Sequence, residues 1–346
     1  VEEQWRKAVA PLQGKTRWAA VMGNHDQGTQ MSADAITGLD FSFEGSLTGG
    51  LEKKNEGAVA PAGMGDYHLS LLDASGQDVV TRLFMFNSQE HGLEQWQVDR
   101  YRNWSVALEK SSGRVLPALA FMHIPLREMY DLYNDGEFRG ELLDTDGVCY
   151  QEQANNMFST LVERKEVKVV TFGHDHGNDL VGEWKGVQLA YGKKTGESAY
   201  NTLLENQYLE FKGARLFQLS FLPSNMIPDS TRGALLFSES SVHEKLGNRS
   251  YTLNVRSWIR TTDGLLDEQT ELAARVYSRL FKNCAGPLDP LLALGIIVFV
   301  LMILCTVLAL VSWCTLGGCR RRSSSEDKPV NVGEMDEEQM VVLKLA

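Results

Sequence analysis

Apolar residues recur along the 346-residue chain in two rhythms. Short runs predict strands at Trp18–Met22, His68–Leu72, Arg82–Asn87, Ala118–Met122, Val167–Phe172, Val187–Tyr191 and Arg215–Phe221. Helical spacing appears in four other segments. In Glu2–Leu12 it is Trp5, Val9 and Leu12; in Leu93–Glu109 it is Trp96, Tyr101, Trp104 and Leu108. In Asn155–Lys165 it is Met157, Phe158, Leu161 and Val162, and in Glu268–Phe281 it is Leu272, Val276, Leu280 and Phe281. Gln27–Gly65, rich in Gly, Ser and Ala, reads as a long loop, and the polar, acidic Asn134–Tyr150 as another. Alternating strands and helices predict an α/β fold.

One run departs from both rhythms. Leu291–Val311 is apolar without a charge, long enough to cross a bilayer at about 20 residues. Trp313 follows, where aromatic side chains favour the interface, and then Arg320, Arg321 and Arg322. The positive-inside rule places this end in the cytosol and everything before the span in a lumen or outside the cell. Sequons at Asn103-Trp104-Ser105 and Asn248-Arg249-Ser250 agree with that side. The expected organisation is a folded domain over 1–282, a linker over 283–290, a membrane helix over 291–313 and a disordered cytosolic tail over 314–346.

Composition adds two constraints. The net charge of −11 argues against nucleic acid as a partner. Of five cysteines, Cys149 and Cys284 fall before the span, and a disulfide between them suits the expected compartment. Cys314 and Cys319 sit beside the arginine cluster, where acylation and plain reduced thiols both fit.

Three of the strands end in histidine motifs. They are Gly23-Asn24-His25-Asp26, Phe121-Met122-His123-Ile124-Pro125 and Gly173-His174-Asp175-His176. Strand ends that feed tight turns are where α/β proteins place their chemistry. Imidazoles with an added Asn carbonyl suit metals of the zinc, iron and manganese class. In this order the motifs resemble the calcineurin-like metallophosphoesterases. The flanks Gly177-Asn178-Asp179 and Val255-Arg256-Ser257-Trp258 are similar to that family's purple-acid-phosphatase-like branch.

The resemblance implies a two-sheet β-sandwich flanked by helices and a site for two divalent or trivalent metal ions. Asn24, His123 and His174 would hold one metal and His176 the other. His25 would contact the substrate phosphate, and Asp26 would hold the His25 ring. The implied reaction is phosphoester hydrolysis by hydroxide bridging the metals. A catalytically inactive surface binding module with the same fold is the alternative.

The family also carries an Asp-x-His and a Gly-Asp motif ahead of Gly-Asn-His, which supply the remaining ligands. Val1 lies too close to Gly23 for these, so the chain is expected to be part of a longer precursor and by itself a poor hydrolase. Gly65-Asp66-Tyr67-His68 contains both patterns but comes after Gly-Asn-His, and is expected to be a turn opening a strand.

Overall fold

The structure, a computed structural model, describes residues 2–26, 31–49, 65–88, 91–142, 147–150, 155–196, 212–223, 244–246 and 249–275. The expected membrane span, its flanking cysteines and arginines, Asn248 and Cys284 lie outside the described residues. No described helix is long and apolar enough to cross a membrane.

In chain order the elements are α1 (Glu2–Val9), α2 (Ala33–Ser42), β1 (Tyr67–Leu72), β2 (Val79–Phe86), α3 (Gln95–Ser112), β3 (Ala118–Met122), α4 (Arg127–Asp135), β4 (Phe138–Arg139), α5 (Met157–Arg164), β5 (Val167–Phe172), β6 (Val181–Trp184), β7 (Val187–Tyr191), β8 (Gly213–Pro223), β9 (Glu244–Leu246), β10 (Arg249–Thr261) and β11 (Leu266–Asp267). The larger sheet runs β1-β2-β3-β5-β7-β6-β4. Its centre, β2, β3, β5 and β7, is parallel, and the outer strands are antiparallel to their neighbours. A second, antiparallel sheet holds β8, β10 and β11, with β9 on β10.

Each face of the larger sheet is covered differently. On one, Ala118, Ala120, Met122, Val170 and Phe172 meet Tyr101 of α3, Met129, Leu132 and Tyr133 of α4, and Met157 and Leu161 of α5. On the other, Leu119 and Val169 meet Leu253 and Val255 of β10, with Phe217, Leu219 and Phe221 of β8 beside them. A helical layer, a large sheet and a small sheet therefore stack in that order, which is the mixed α/β arrangement expected.

Buried polar groups tie the layers. Asp66 is almost wholly buried and accepts from Asn87 N at 2.8 Å and from Gln97 Nε2 at 2.9 Å. Gln97 also closes a capping box with Glu94 at the start of α3. Burial raises the Asp66 carboxyl to about 6 against these hydrogen bonds. His68 packs edge-on against Trp104. The Gly65-Asp66-Tyr67-His68 segment thus opens a strand, as expected; Asp66 serves its hydrogen bonds and His68 its ring contacts.

Four expectations are corrected. Trp18–Met22 joins no ladder: it makes one bridge, Trp18 to Ser46, and its Ala20 N–H bonds the Thr48 side chain at 2.8 Å. Within the expected loop Gln27–Gly65 lies α2, started by Ser32, whose hydroxyl accepts from Ala35 N, and anchored by Asp40. The Asp40 carboxylate receives both Trp5 Nε1 and Trp18 Nε1. Residues 268–275 are not helical. Their polar groups bond outward instead, Ala273 N to Phe138 O and Gln269 Nε2 to Asp179, and Leu272 of the apolar stripe is exposed. The first helix stops at Val9 rather than Leu12.

Phe84 is fully buried, with the Tyr101 ring edge-on at 5.1 Å. Phe84→Ala should cost about 3–5 kcal/mol, while Val106→Ala on the exposed face of α3 should stay within about 0.5 kcal/mol. Chemical-denaturation midpoints check the pair; equal losses would show that the helical layer does not pack as described.

Candidate functional site

Parallel strands bring the motifs together. β3 and β5 run in register through Phe121 and Thr171, and β5 and β7 through Phe172 and Tyr191. Beyond the strand ends the pairing continues: Gly173 N donates to His123 O at 3.1 Å and Gly192 N to Phe172 O at 2.8 Å. His123, the Gly173–His176 turn and the segment after Gly192 therefore leave the sheet side by side, at the carboxyl edge.

Asn24 arrives by another route. Leu47 N bonds Trp18 O at 2.7 Å, and the Tyr67 hydroxyl donates to Ala20 O at 2.6 Å, so the extended segment lies over β1. Gly23 to Asp26 then turns sharply, closed by Asp26 N to Gly23 O at 3.2 Å. The Asp26 carboxylate accepts from Gly23 N at 2.6 Å. Asp26 thereby braces its own turn, since its short side chain folds back three residues. His25, in the same turn, is exposed.

Two glycines clamp His123. A Cβ on Gly23 would stand 2.9 Å from the His123 ring, and one on Gly173 would stand 3.0 Å from it. At Gly23 a side chain would force the ring to shift, and at Gly173 the ring would have to give by a few tenths of an ångström. So held, His123 Nε2 lies 2.9 Å from Asn24 Oδ1, and the His174 ring stands edge-on at 5.1 Å. Two ligands about 2.1 Å from one cation and at right angles would stand about 3 Å apart. The Asn24–His123 separation fits that demand.

The imidazoles are prepared for metal. Burial pulls His123 down to about 3, with the neighbouring His174, His176 and His25 adding to it. Burial likewise brings His174 to about 4, assisted by His176 and His25. Both rings are neutral at physiological pH, the form that ligates. His174 is held at φ 61°, a left-handed conformation costly for a side-chain-bearing residue and common at functional sites.

Asp175 supports this turn from beneath. It is buried and accepts from the Tyr191 hydroxyl and from Cys149 N. Cys149, His174 and Asp175 bring possible ligand atoms within 4.8 Å of one another. Yet Cys149 is disulfide-bonded, which removes its thiolate, and Asp175 is already engaged. Asn24, His123 and His174 form the neighbouring cluster of polar side chains.

His123, His174 and His176 line a cleft of about 320 Å³ with Asn178 and the segment Gly192–Gly196. Lys193, Lys194, Thr195, Tyr191 and Cys149 had no signal in the sequence: nothing in Lys193-Lys194 separates it from a solvated basic pair.

In the metal-free protein, the NMR signals of His123 and His174 should not titrate between about pH 8 and pH 5, because each ring stays neutral until far below its usual 6.5. A midpoint near the usual value would show that water reaches both rings. Gly23→Ala should displace the His123 ring and weaken metal binding by about 10–100-fold, read by calorimetry, with the fold retained by circular dichroism. Unchanged affinity would dissolve the clamp.

Comparison with known proteins follows the same residues. "Probable inactive purple acid phosphatase 29" of Arabidopsis thaliana is 28% identical over 216 residues, covering 56% of this chain and 54% of that protein. "Probable inactive purple acid phosphatase 28" of the same plant is 31% identical over 220 residues, covering 57% and 54%. The chain spans about half the length of the curated relatives it matches. Residues 1–178, which contain all three histidine motifs, match the calcineurin-like phosphoesterase family. With half of its length matched and the motif residues gathered at one sheet edge, the chain belongs to the calcineurin-like phosphoesterases.

Proposed function

We propose that the protein hydrolyses phosphoesters with two metal ions, on a domain held outside the cytosol by the span at Leu291–Val311. The observation that carries the catalytic part is the Asn24 Oδ1 to His123 Nε2 approach of 2.9 Å beside the neutral His174 ring. Metal ions of the iron, zinc or manganese class, when bound, would neutralise phosphoryl charge and activate water. Asn24, His123 and His174 would hold one of them, and His176, from the same turn, would face the other.

The remaining roles belong to the chain. His25 stands exposed at the corner of its turn, free to meet a phosphoryl oxygen or to give a proton to the leaving oxygen. Asp26 keeps that corner closed through Gly23 N–H. Asp175, fixed by Tyr191, sets the direction of the turn that carries both His174 and His176. The second reading, a binding module without turnover, is favoured by the word "inactive" in the relatives' names.

Two variants of the intact protein separate the readings. His174→Ala should lose metal and abolish release of nitrophenol from p-nitrophenyl phosphate. His25→Ala should keep its metal while turnover falls about 10²–10⁴-fold. Equal metal loss in both would make His25 a ligand. A fully metal-loaded protein with no turnover on aryl phosphates would favour the binding module.

A further inference from the structure

Asp179 follows His176 by three residues, at the exit of the histidine turn. The cleft is completed by Gly192–Gly196, which follows β7. The Asp179 carboxylate joins these two segments to others. Its Oδ1 accepts from Glu141 N at 2.7 Å and from Gln269 Nε2 at 3.0 Å, and its own N–H donates to Glu141 O at 3.0 Å. Its Oδ2 receives Lys193 Nζ at 2.6 Å. Gly140, at φ 78°, is drawn in so closely that a Cβ would stand 2.6 Å from Asp179 O and Oδ1.

The Lys193–Asp179 pair is sealed from water, its side chains being 7% and 5% exposed. Apolar side chains of equal volume often stabilise such a place as well or better, because both charges of a buried pair lose their hydration. What the pair supplies is position: an interior ammonium has to meet its carboxylate, whereas an apolar side chain can settle in several ways. The backbone on either side of Lys193 is tied elsewhere. Gly192 N donates to Phe172 O at 2.8 Å, and Lys194 O accepts from Gly213 N at 2.9 Å. Between those ties the Lys193 ammonium links this segment directly to the exit of the histidine turn. The pair also lies immediately behind the cleft, since Lys193 and the neighbour of Asp179, Asn178, both line it.

Resting on the phosphoester reading above, we propose that Lys193 is a positioning residue: through Asp179 it holds the Gly192–Gly196 segment at a fixed distance from the His174–His176 turn, and so sets the width of the cleft that receives the phosphoryl group. Lys193 acts through the segment it holds and touches neither substrate nor metal. His123 and His174 follow β3 and β5, whose pairing does not depend on it. Loss of the pair therefore falls on substrate binding and spares the metal.

Lys193→Met combined with Asp179→Asn, in the intact protein, removes the pair without leaving a buried charge alone, and the amide still offers an oxygen to Glu141 N. Its denaturation midpoint and its metal content by elemental analysis should match those of the parent. KM for p-nitrophenyl phosphate should rise about tenfold with kcat changed by less than about threefold. The manganese-loaded protein should bind inorganic phosphate about tenfold more weakly by calorimetry. A merely structural role would lower the midpoint and leave KM and phosphate affinity as they were. Arg102→Met, which breaks the exposed pair with Glu163, is the control and should change neither. Should the double variant not fold, Asp179→Asn alone carries the test, with phosphate affinity reduced about threefold or more. Unaltered phosphate affinity in the folded variant, an equal loss in Arg102→Met, or loss of metal together with phosphate overturns the proposal. A parent protein that hydrolyses no ester defeats the phosphoesterase reading alone, and the phosphate measurement still decides the role of Lys193; a parent that takes up no phosphate overturns both.

Discussion

The His123 ring has room only because two residues lack a side chain. Gly23 and Gly173 approach it from different motifs, Gly23 closer than a Cβ would allow and Gly173 at the limit of one. One glycine belongs to a turn laid over β1, the other to the end of β5. Their contact with one ring converts three separate chain segments into a single corner. The strand register sets how far apart β3 and β5 end, and the turn braced by Asp26 sets how Asn24 enters. The separation of Asn24 Oδ1 from His123 Nε2 follows from those distances.

Burial of this corner decides its electrostatics. Excluding water makes a charged imidazole costly, so His123 and His174 stay neutral without a carboxylate partner. The acidic residue nearest in sequence, Asp175, is turned to other work: it binds Tyr191 and the Cys149 backbone and keeps the His174–His176 turn in its left-handed start.

Much of this was legible in the residues, and the legible parts share a physical cause. β3, β5 and β7 match their expected bounds residue for residue because both faces are covered, which leaves an uninterrupted apolar run with abrupt polar ends. The motif histidines were readable because they follow such ends. Trp18–Met22 has the same apolar character, yet its backbone bonds go to Thr48, Leu47 and Tyr67 rather than to a ladder; composition does not encode which partner is within reach. Glu268–Phe281 looked helical from spacing alone, but in its described part, residues 268–275, Gln269 and Ala273 bond Asp179 and Phe138 instead. β10 was missed although Leu253, Val255, Ser257 and Ile259 are buried at alternate positions, since Ser257 is polar on the buried side and Trp258 apolar on the other, which breaks the alternation. The place of Lys193 and Lys194 in the cleft was invisible because it comes from Asp179 and Gly213, which lie apart from them in sequence.

Arg215 joins elements that share no ladder. It rises from β8 of the smaller sheet and bonds the carbonyls of Asp179 and Tyr191 in the larger, while Gln269 repeats the link from beyond β11. The covering sheet is therefore part of the cleft's own cooperative folding unit, and local opening of one must expose the other. Amide exchange around Gly192 should track that of β8 rather than that of its neighbours in the central strands. A protease nick that releases β8 would leave every histidine in place and still remove one side of the cleft, so damage far from the chemistry would register as lost substrate discrimination before it registered as a lost metal.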